Sequence, residues 1–506
     1  MNKKSLKLGT IVSYIWVVVH VGINLILTPL LISSMGENEY GLYQVIASFL
    51  AYISVLETSI SSAVLRYYCK ENASGDHKAV ENLLAICRRI YCALSVCTIF
   101  VAAGVILAFK TFYQSSFTEA EVNEGMLMLF LLFVNLIVTL LNAIYVAAIN
   151  GNERFVFLKT LSIINQIIQP VLCIVILKFY PYALTATCIQ VSLNCVMSMI
   201  RHIYARNELN IKPVLHNYDK KLRNSIFVFA VGILLANLAD QIFLKTDQLI
   251  LGKLYNTGTV AVYSIGSQIY SNYMYVGITI ASVFFPRVSK LYHEDKGIMK
   301  ISDLFIKVGR IAFLACFLVL SAFVILGKEF LYLWVGESFL EAYGIAIVVM
   351  IPFTIDIIQH LGLTILQVMN RYSFRAKMYF IAALLNIIST SIFAYLWSGF
   401  GAALSTGLSM FVTSGIILNY FYSKSICLNI KLFWRNIFGI LIKMTSVFIC
   451  GLIIYYMLPF QYSWLHFIVF GLLYTLLYFV VAYFFAMNAY EKGIIRYLFK
   501  RIKLRG

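Results

Sequence analysis

Three charged side chains lie within one apolar stretch of the chain. Asp240, Lys245 and Asp247 fall in the run 226–254, where a membrane helix is expected. A charge at the centre of such a helix costs about 2.5–3.5 kcal/mol to insert, so the helix cannot face lipid on all sides. At about 100° per residue, Asp240 and Asp247 share one face and Lys245 lies on a second. These faces need protein or water beside them, and they predict a polar cavity within the membrane that this helix lines.

Polar residues recur inside several of the other apolar segments. Amide and hydroxyl side chains often only join membrane helices through hydrogen bonds, and a single histidine is more often a satisfied core residue than a proton carrier. For the carboxylates and Lys245 we favour a place in the cavity; the alternative is a buried ion pair, such as Lys245 with Glu57 or Asp356. The residues predicted to line the cavity or its cytoplasmic mouth are Lys245, Asp240, Asp247, Glu57, Asp356, His20, His360, Asn24, Gln268, Arg66 and Arg371.

The composition requires that these residues belong to a membrane protein. Of the 506 residues, 61% are hydrophobic and 12% are charged, and the mean hydropathy is +0.85, outside the range of soluble globular proteins. The formal charge of +18 comes from short basic clusters between apolar runs. That pattern is typical of cytoplasmic loops, so we expect no nucleic-acid partner. The ten cysteines have neither the spacing of a disulfide framework nor that of a metal site.

Fourteen apolar runs of about 20 residues or more are long enough to cross a hydrocarbon core of about 30 Å. They are 11–32, 40–64, 90–109, 125–149, 155–178, 181–203, 226–254, 260–285, 304–327, 341–368, 374–397, 400–422, 436–458 and 463–487. Lys and Arg collect before the first run, in alternate loops and after the last run; the basic loops include 201–223, which begins with Arg201, and 287–310, which ends with Arg310. The other loops are short and carry acidic residues such as Glu39, Glu124, Glu329 and Glu337. This alternation predicts an all-α, polytopic membrane protein with about 14 transmembrane helices and with both termini in the cytoplasm.

The order of polar helices, short turns and long basic loops repeats after six spans. We therefore predict two six-helix bundles related by a parallel repeat, with the repeat axis along the membrane normal. The predicted domains are 1–210 and 211–425 for the two bundles, and 426–506 for two additional transmembrane helices and a basic cytoplasmic tail. The tail suits an amphipathic helix on an anionic inner leaflet, or a solvated basic anchor.

Motifs that would indicate an enzyme are missing from the sequence. It contains no G-x-x-x-x-G-K-[ST] phosphate loop, no H-E-x-x-H and no G-x-S-x-G, and its His and Cys residues do not cluster. The predicted outer loops are short, and the inner loops are mainly basic, which leaves no catalytic constellation. We therefore expect a transporter without a cofactor rather than an enzyme.

Several short motifs resemble one family in their order and spacing, over essentially the whole chain. They are G-T-I-V-S-Y from Gly9, L-T-P-L-L from Leu27, M-G-E-N-E-Y-G-L-Y-Q from Met35, A-V-L-R-Y-Y from Ala63, T-D-Q-L-I-L-G-K-L from Thr246, F-P-R-V-S-K-L from Phe285 and L-W-V-G from Leu333. In these the chain resembles the polysaccharide flippases (Wzx type) of the MOP exporter superfamily. Such proteins often have Asp followed by Gly near the end of helix 2, where this chain has Glu57 and Thr58.

The resemblance implies a MOP/MATE-like fold in the bacterial cytoplasmic membrane. It also implies transport of an undecaprenyl-diphosphate-linked oligosaccharide by alternating access between the bundles. The expected partners are this lipid-linked oligosaccharide, membrane lipids, and polysaccharide polymerase and assembly proteins. The alternatives are an ion-coupled multidrug (MATE-like) exporter and a membrane enzyme of glycan assembly.

For that substrate, each group of predicted cavity residues has an expected role. Lys245 would bind the diphosphate, and Arg66 and Arg371 would meet it at the cytoplasmic mouth. A coupling ion, H⁺ or Na⁺, would bind one of the carboxylates, because a desolvated carboxylate has a raised proton affinity. The candidates for that carboxylate are Asp240, Asp247, Glu57 and Asp356.

Overall fold

The computed structural model describes residues 22–282, 284–294, 297–369, 371–457, 462–493 and 496. Every regular element within these ranges is a helix. Contacts divide the chain into two compact units, Met1–Ala261 and Val262–Gly506. The predicted cavity residue His20 and most of the predicted basic tail lie outside the described residues.

The helices of the first unit follow one another through short connections. In chain order they are α1 (Gly22–Met35), α2 (Glu37–Ala73), α3 (His77–Tyr113), α4 (Glu119–Gly151), α5 (Phe155–Ile176), α6 (Ala183–Asn207), α7 (Lys220–Leu254) and α8 (Thr257–Ser282), which continues into the second unit. Polar side chains fix where several of them begin. Asp76 accepts from two amides at the start of α3, and Thr118 and Glu121 form a capping box at the start of α4. These caps satisfy amides that have no partner in the first turn.

Two acidic residues of the predicted outer loops cap the start of α6. Glu39 Oε2 accepts a hydrogen bond from the amide of Ala183 at 2.8 Å, and Glu124 Oε1 accepts one from the amide of Leu184 at 2.7 Å. Carboxylates are favourable there because the first amides are unpaired and the helix dipole is positive at this end. Since Glu39 lies in α2 and Glu124 in α4, the two caps hold the ends of three helices together.

Helix α2 lies at the centre of the first unit, against α3, α4, α6 and α7. Its residues Tyr40, Leu42 and Val45 are almost fully buried. Gly41 permits the closest approach, because a Cβ at this position would lie 1.8 Å from the carbonyl oxygen of Thr257 at the start of α8. A side chain at position 41 therefore has no space.

The second unit contains both long helices and short irregular ones. After α8 come α9 (Phe285–Tyr292), α10 (Gly297–Val335), the 3₁₀ turn Glu337–Phe339, α11 (Ala342–Ile358), α12 (Leu361–Val368), α13 (Tyr372–Met410), the π-helix Phe411–Ile417, α14 (Leu418–Lys424), α15 (Ile430–Met457), α16 (Trp464–Val481) and the π-helix Ala482–Ala486. Helix α13 bends at Trp397 and Ser398, where the dihedral angles are not helical and Ser398 has a φ of 53°.

Helix α10 carries α15 and α16 along its length. The hydroxyl of Tyr478 donates to the carbonyl of Leu314 at 2.8 Å, and the hydroxyl of Tyr474 bonds to Ser321 Oγ at 2.7 Å. Gly451 of α15 lies against the ring of Tyr474. Buried tyrosines in an apolar bundle need such partners for their hydroxyls.

A buried ion pair joins α10 to the segment after α16. Arg310 and Glu491 are 8% and 4% exposed, and two guanidinium nitrogens lie 2.6 and 3.1 Å from the two carboxylate oxygens. Arg310 also donates to the carbonyl of Ala486 at 3.0 Å and to Asn436 Oδ1 at 3.1 Å. We predicted Arg310 at the end of the basic loop 287–310; the structure instead places it inside α10, where this pairing lets its charge be buried.

Eleven helices in the described residues are long and apolar enough to cross a membrane, so the chain is a multi-pass membrane protein. Fourteen spans remain a prediction. The predicted span 11–32 is described only from residue 22, and 260–285 corresponds to α8, whose side chains are described in part. The predicted spans 374–397 and 400–422 form one helical stretch, Ser373–Lys424.

The division into three domains also remains a prediction. By contacts, α7 belongs to the first unit, although we predicted that the second bundle begins at 211. The reason is that α7 packs along α2. Helices α15 and α16, which we predicted as a separate C-terminal part, lie in the second unit with α10.

Candidate functional site

The polar stretch of α7 faces α2 through a series of side-chain hydrogen bonds. Ser48 Oγ donates to Gln248 Oε1, and the hydroxyl of Tyr52 lies 2.5 Å from Thr246 Oγ1. Further along, Asn237 reaches Ser59 at 3.5 Å. Much of the polar face of both helices is therefore used to join them, as is common for amides and hydroxyls in membrane helices.

The charged residues of α7 have unequal surroundings. Asp247 is fully buried, whereas Asp240 and Lys245 are half-buried. Within the first unit, no described residue forms an ion pair with Lys245, so the predicted alternative of a pair with Glu57 does not occur there. Lys253, about two helical turns beyond, is different because its ammonium donates to the carbonyl of Phe112 and to Ser115 Oγ.

Glu57 has another basic neighbour, which we did not predict. It is half-buried on α2 and is attracted by the guanidinium of Arg201 on α6. We placed Arg201 in a basic loop, but α6 continues to Asn207 and leaves Arg201 half-buried. The hydroxyl of Tyr91, which lies near Glu57, is buried without a hydrogen-bond partner among the described residues.

A second cluster surrounds Asp356 in the other unit. Asp356 is 8% exposed, and its Oδ1 accepts from the hydroxyls of Tyr379 at 2.8 Å and Ser414 at 2.7 Å. His360 and Arg375 interact electrostatically with this cluster, and the guanidinium of Arg375 lies 4.1 Å from the centre of the Tyr379 ring. Oδ2 of Asp356 has no hydrogen bond from a described residue of this unit, so it remains able to bind a proton or cation.

The backbone around Asp356 is irregular on two sides. Helix α11 ends at Ile358, and Gln359 and His360 separate it from α12, although we predicted one helix over 341–368. The break brings Gly362 against the hydroxyl of Tyr422, where a Cβ would lie 2.5 Å away. Gln359 is 3% exposed, and both polar atoms of its amide lack a partner among the described residues. A buried amide in that state is available to a ligand.

The opposite wall of this cluster is a π-helix. Ser414 lies within Phe411–Ile417, and the amide of Asn419 returns to the carbonyls of Ser414 and Gly415 at 3.0 and 2.8 Å. Asn419 in turn accepts from the indole of Trp434 at 3.1 Å. A π-helical turn leaves carbonyls in need of other donors and is frequent at functional sites.

The remaining predicted cavity residues within the described ranges are Asn24, Gln268, Arg66 and Arg371. Asn24 and Gln268 are half-buried on α1 and α8. Arg66 is exposed, with its guanidinium 4.3 Å from the centre of the Phe229 ring. Arg371 is exposed and donates to the carbonyl of Ser425 at 3.0 Å. Arg66 and Arg371 thus remain exposed cations near the ends of their helices.

A cleft of about 430 Å³ lies between α2, α3 and α4 of the first unit. Its walls are apolar, with Phe49, Leu56 and Phe133 among them, and Tyr52 is one of the few polar side chains. Such a lining suits hydrocarbon rather than sugar. In the part of the chain that the structure describes, no three His, Cys, Asp or Glu residues lie close enough to hold a metal ion.

Known proteins share the sequence pattern and the fold. A profile of the family described as polysaccharide biosynthesis protein matches residues 6–292. No curated protein matches the chain. Among solved structures, the lipid II flippase MurJ in an inward closed conformation is 15% identical, with a TM-score of 0.73 over 94% of this chain and 98% of that chain.

Two structures of multidrug resistance MATE family transporters of the MOP superfamily are also similar. The inward-facing one is 12% identical, with a TM-score of 0.66 over 82% of this chain and 96% of that chain. The outward-facing one is 15% identical, with a TM-score of 0.55 over 85% and 96%. At such identities the similarity establishes the fold, which is the predicted all-α, MOP/MATE-like one.

Proposed function

The chain belongs to the polysaccharide biosynthesis protein family, and we propose that it is a flippase for undecaprenyl-diphosphate-linked oligosaccharide repeat units. It would move them across the bacterial cytoplasmic membrane for the synthesis of a surface polysaccharide. The observation that carries this proposal is the family match over more than half of the chain. The fold shared with the lipid II flippase MurJ supports it, because that relative is a flippase.

Such a substrate has three parts with different needs. The glycan needs hydrogen-bonding walls, the diphosphate needs a cation, and the lipid tail needs contact with hydrocarbon. Lys245 is our candidate for the diphosphate, because it is a half-buried cation in a membrane helix and forms no ion pair with the described residues of its unit. Bringing a phosphate to it would satisfy a charge that is costly to leave alone in the membrane.

Transport against a gradient needs a coupled ion, and Asp356 is the best-supported place for it. Two hydroxyls hold one carboxylate oxygen in place. The side-chain amide of Gln359, three residues further along the chain, is buried without a described partner. Hydroxyl, amide and carboxylate oxygens suit Na⁺, and the carboxylate alone suits H⁺. We propose that transport occurs by alternating access, and that the ion at Asp356 and the diphosphate at Lys245 bind in turn.

The first experiment is complementation of a deletion strain, with surface polysaccharide and accumulated lipid-linked repeat units as readouts. We compare wild type, Lys245→Ala, Lys245→Arg and Lys253→Ala at equal membrane abundance. We expect Lys245→Ala to lower export about tenfold or more, since a charge-assisted hydrogen bond contributes about 1.5–3 kcal/mol. Lys245→Arg should retain much of the export. Lys253→Ala is the matched control, because Lys253 lies on the same helix and is bonded to Phe112 and Ser115.

The outcomes separate the alternatives. If Lys245→Ala restores export fully, Lys245 has no role at the diphosphate. If deletion changes drug susceptibility but leaves polysaccharide and lipid-linked precursors unchanged, the multidrug exporter replaces the flippase; the similar MATE structures make it the second candidate. Glycosyl transfer by the purified protein would indicate a membrane enzyme of glycan assembly.

A further inference from the structure

A buried carboxylate and a histidine meet where α10, α15 and α16 come together. Glu329 of α10 is 1% exposed, and its two carboxylate oxygens lie 2.9 and 3.2 Å from Nδ1 of His466 on α16. The hydroxyl of Tyr455 on α15 donates to Oε2 at 3.2 Å. We predicted Glu329 to lie in an exposed outer loop, and neither it nor His466 has a part in the proposed transport site.

The other nitrogen of the imidazole has different surroundings. Nε2 of His466 is buried and has no hydrogen-bond partner among the described residues. If the histidine is neutral with its proton on Nδ1, that proton bonds to the Glu329 carboxylate and Nε2 holds only a lone pair. If a proton binds Nε2, the new N–H is buried without an acceptor, which is costly. If the imidazolium then passes its Nδ1 proton to the Glu329 carboxylate, the neutral ring still carries the buried Nε2–H.

We propose that Glu329 and His466 form a proton-binding site, at which uptake of a proton by Nε2 drives a rearrangement of the α10–α16 contact. The proton comes from water, no covalent bond between heavy atoms changes, and the product is an imidazolium that remains paired with the carboxylate. Its ion pair with Glu329 is favourable, but its second N–H must find an acceptor. Only movement of the ring toward water or another polar group supplies one.

The other titratable groups nearby do not substitute for this pair. Lys328 of α10 is exposed and lies 5.4 Å above the ring of Tyr343, and Glu337 and Glu341 in the turn after α10 are exposed. The remaining ones are tyrosines of α10, α11, α15 and the segment before α16, and tyrosine ordinarily stays neutral below about pH 9. These tyrosines are Tyr332, Tyr343, Tyr455, Tyr456 and Tyr462. Histidine is the side chain that changes charge between pH 5 and 8.

The contacts further along α16 confine the movement. Tyr474 and Tyr478 remain bonded to α10, and Arg310 holds the segment beyond α16 through Glu491. Tyrosine ordinarily stays neutral, and arginine stays charged, over the range in which histidine changes charge. The rearrangement therefore belongs to the first turns of α16 and the last turns of α15, while the rest of the helix pair stays on α10.

The test uses the full-length protein in lipid nanodiscs without substrate. Nuclear magnetic resonance of ¹³C-labelled histidines identifies His466 as the signal that is lost in His466→Gln. We expect this signal to change with pH when Nε2 takes up the proton. Glu329→Gln removes the carboxylate that faces Nδ1 and should alter that pH dependence. In wild type, amide hydrogen exchange in 462–470, corrected for intrinsic rates, should rise as the pH falls and Nε2 takes up its proton. In His466→Gln it should not rise.

The matched control is His293→Gln, which removes an exposed histidine at the end of α9 and should leave both titrations unchanged. The proposal is overturned if the His466 signal does not titrate, or if it titrates without the change in amide exchange. Should His466→Gln fail to fold, Glu329→Gln and Tyr455→Phe test the same contact from its other two helices. Because no substrate is present, failure here leaves the flippase proposal standing, and failure of the complementation experiment leaves this site standing.

Discussion

Arg310 and Glu491 illustrate what single buried charges contribute to this protein. Their pair is bidentate and almost fully enclosed, and removal of one partner from such a pair costs about 3–5 kcal/mol. We expect Arg310→Ala to lower the thermal midpoint of the protein in nanodiscs strongly, or to prevent its accumulation. Lys307→Ala is the control, because Lys307 forms an exposed pair with Asp303, and such pairs contribute about 0–1 kcal/mol. Equal midpoints for the two variants would contradict the structural role of Arg310.

Asp356 gives a functional prediction at the same scale. Asp356→Asn keeps the size of the side chain and removes its charge, so a coupled proton or Na⁺ loses its site. We expect export to fall about tenfold, in keeping with about 1.5–3 kcal/mol for a charged contact, and to lose its dependence on the ion gradient in membrane vesicles. Tyr379→Phe removes only one of the two hydroxyl donors and should keep the gradient dependence. If export by Asp356→Asn still depended on the gradient, the coupled ion would have to bind at another residue.

Sequence reasoning found charges that lie well inside long apolar runs and missed those that lie beside the basic clusters at the ends of runs. Lys245 and Asp356 are conspicuous for that reason. Arg201 and Arg310 were assigned to basic loops because other Lys and Arg residues surround them in sequence, although their carboxylate neighbours lie far along the chain. Asp356 is bonded by Tyr379 and Ser414, which lie 23 and 58 residues away in sequence. No sequence pattern near Asp356 indicates these partners.

Individual helices depend on glycine at close approaches. Gly41→Ala would place a Cβ against the backbone of Thr257. This clash can be relieved only if α2 moves away from the start of α8. We expect a loss of folded protein in size-exclusion chromatography after extraction. Gly232→Ala in α7 is the control, because nothing lies within 4 Å of its Cβ position, and alanine favours a helix by about 1 kcal/mol over glycine. Normal yield of Gly41→Ala would refute the close contact.

Two of the motifs that carried the family resemblance have a physical explanation in the helix connections. Gly36 in M-G-E-N-E-Y-G and Gly336 in L-W-V-G have φ values of 85° and 98° with ψ values of 171° and 175°. This region is accessible almost only to glycine, so both connections require it. Hydropathy predicted the helices on either side but not this requirement. It placed a boundary at Ser398, between the predicted spans 374–397 and 400–422, but missed the break at Gln359, which falls inside the predicted span 341–368.

The orientation of the whole chain is a prediction from the distribution of Lys and Arg. We expect a membrane-impermeant maleimide to label Ser338→Cys in the 3₁₀ turn of intact cells, in a background without other cysteines. Cys69, which is exposed near the end of α2, should react only after permeabilisation when it is the sole cysteine. Labelling of Cys69 in intact cells would contradict the predicted orientation and indicate the opposite one. The all-helical membrane fold itself was predictable, because hydropathy alone specifies helices in a hydrocarbon environment.

The pairing of Arg310 with Glu491 also has a consequence for how the protein is made. The two residues are 181 positions apart, so the ribosome has yet to synthesise the partner when α10 enters the bilayer. At about 5–20 residues per second, the nascent arginine waits roughly 10–35 s. During that interval its charge lacks the carboxylate that pairs with it in the folded protein. A chain that stops after α14 never acquires that carboxylate, so the pair can form only after synthesis has passed Glu491.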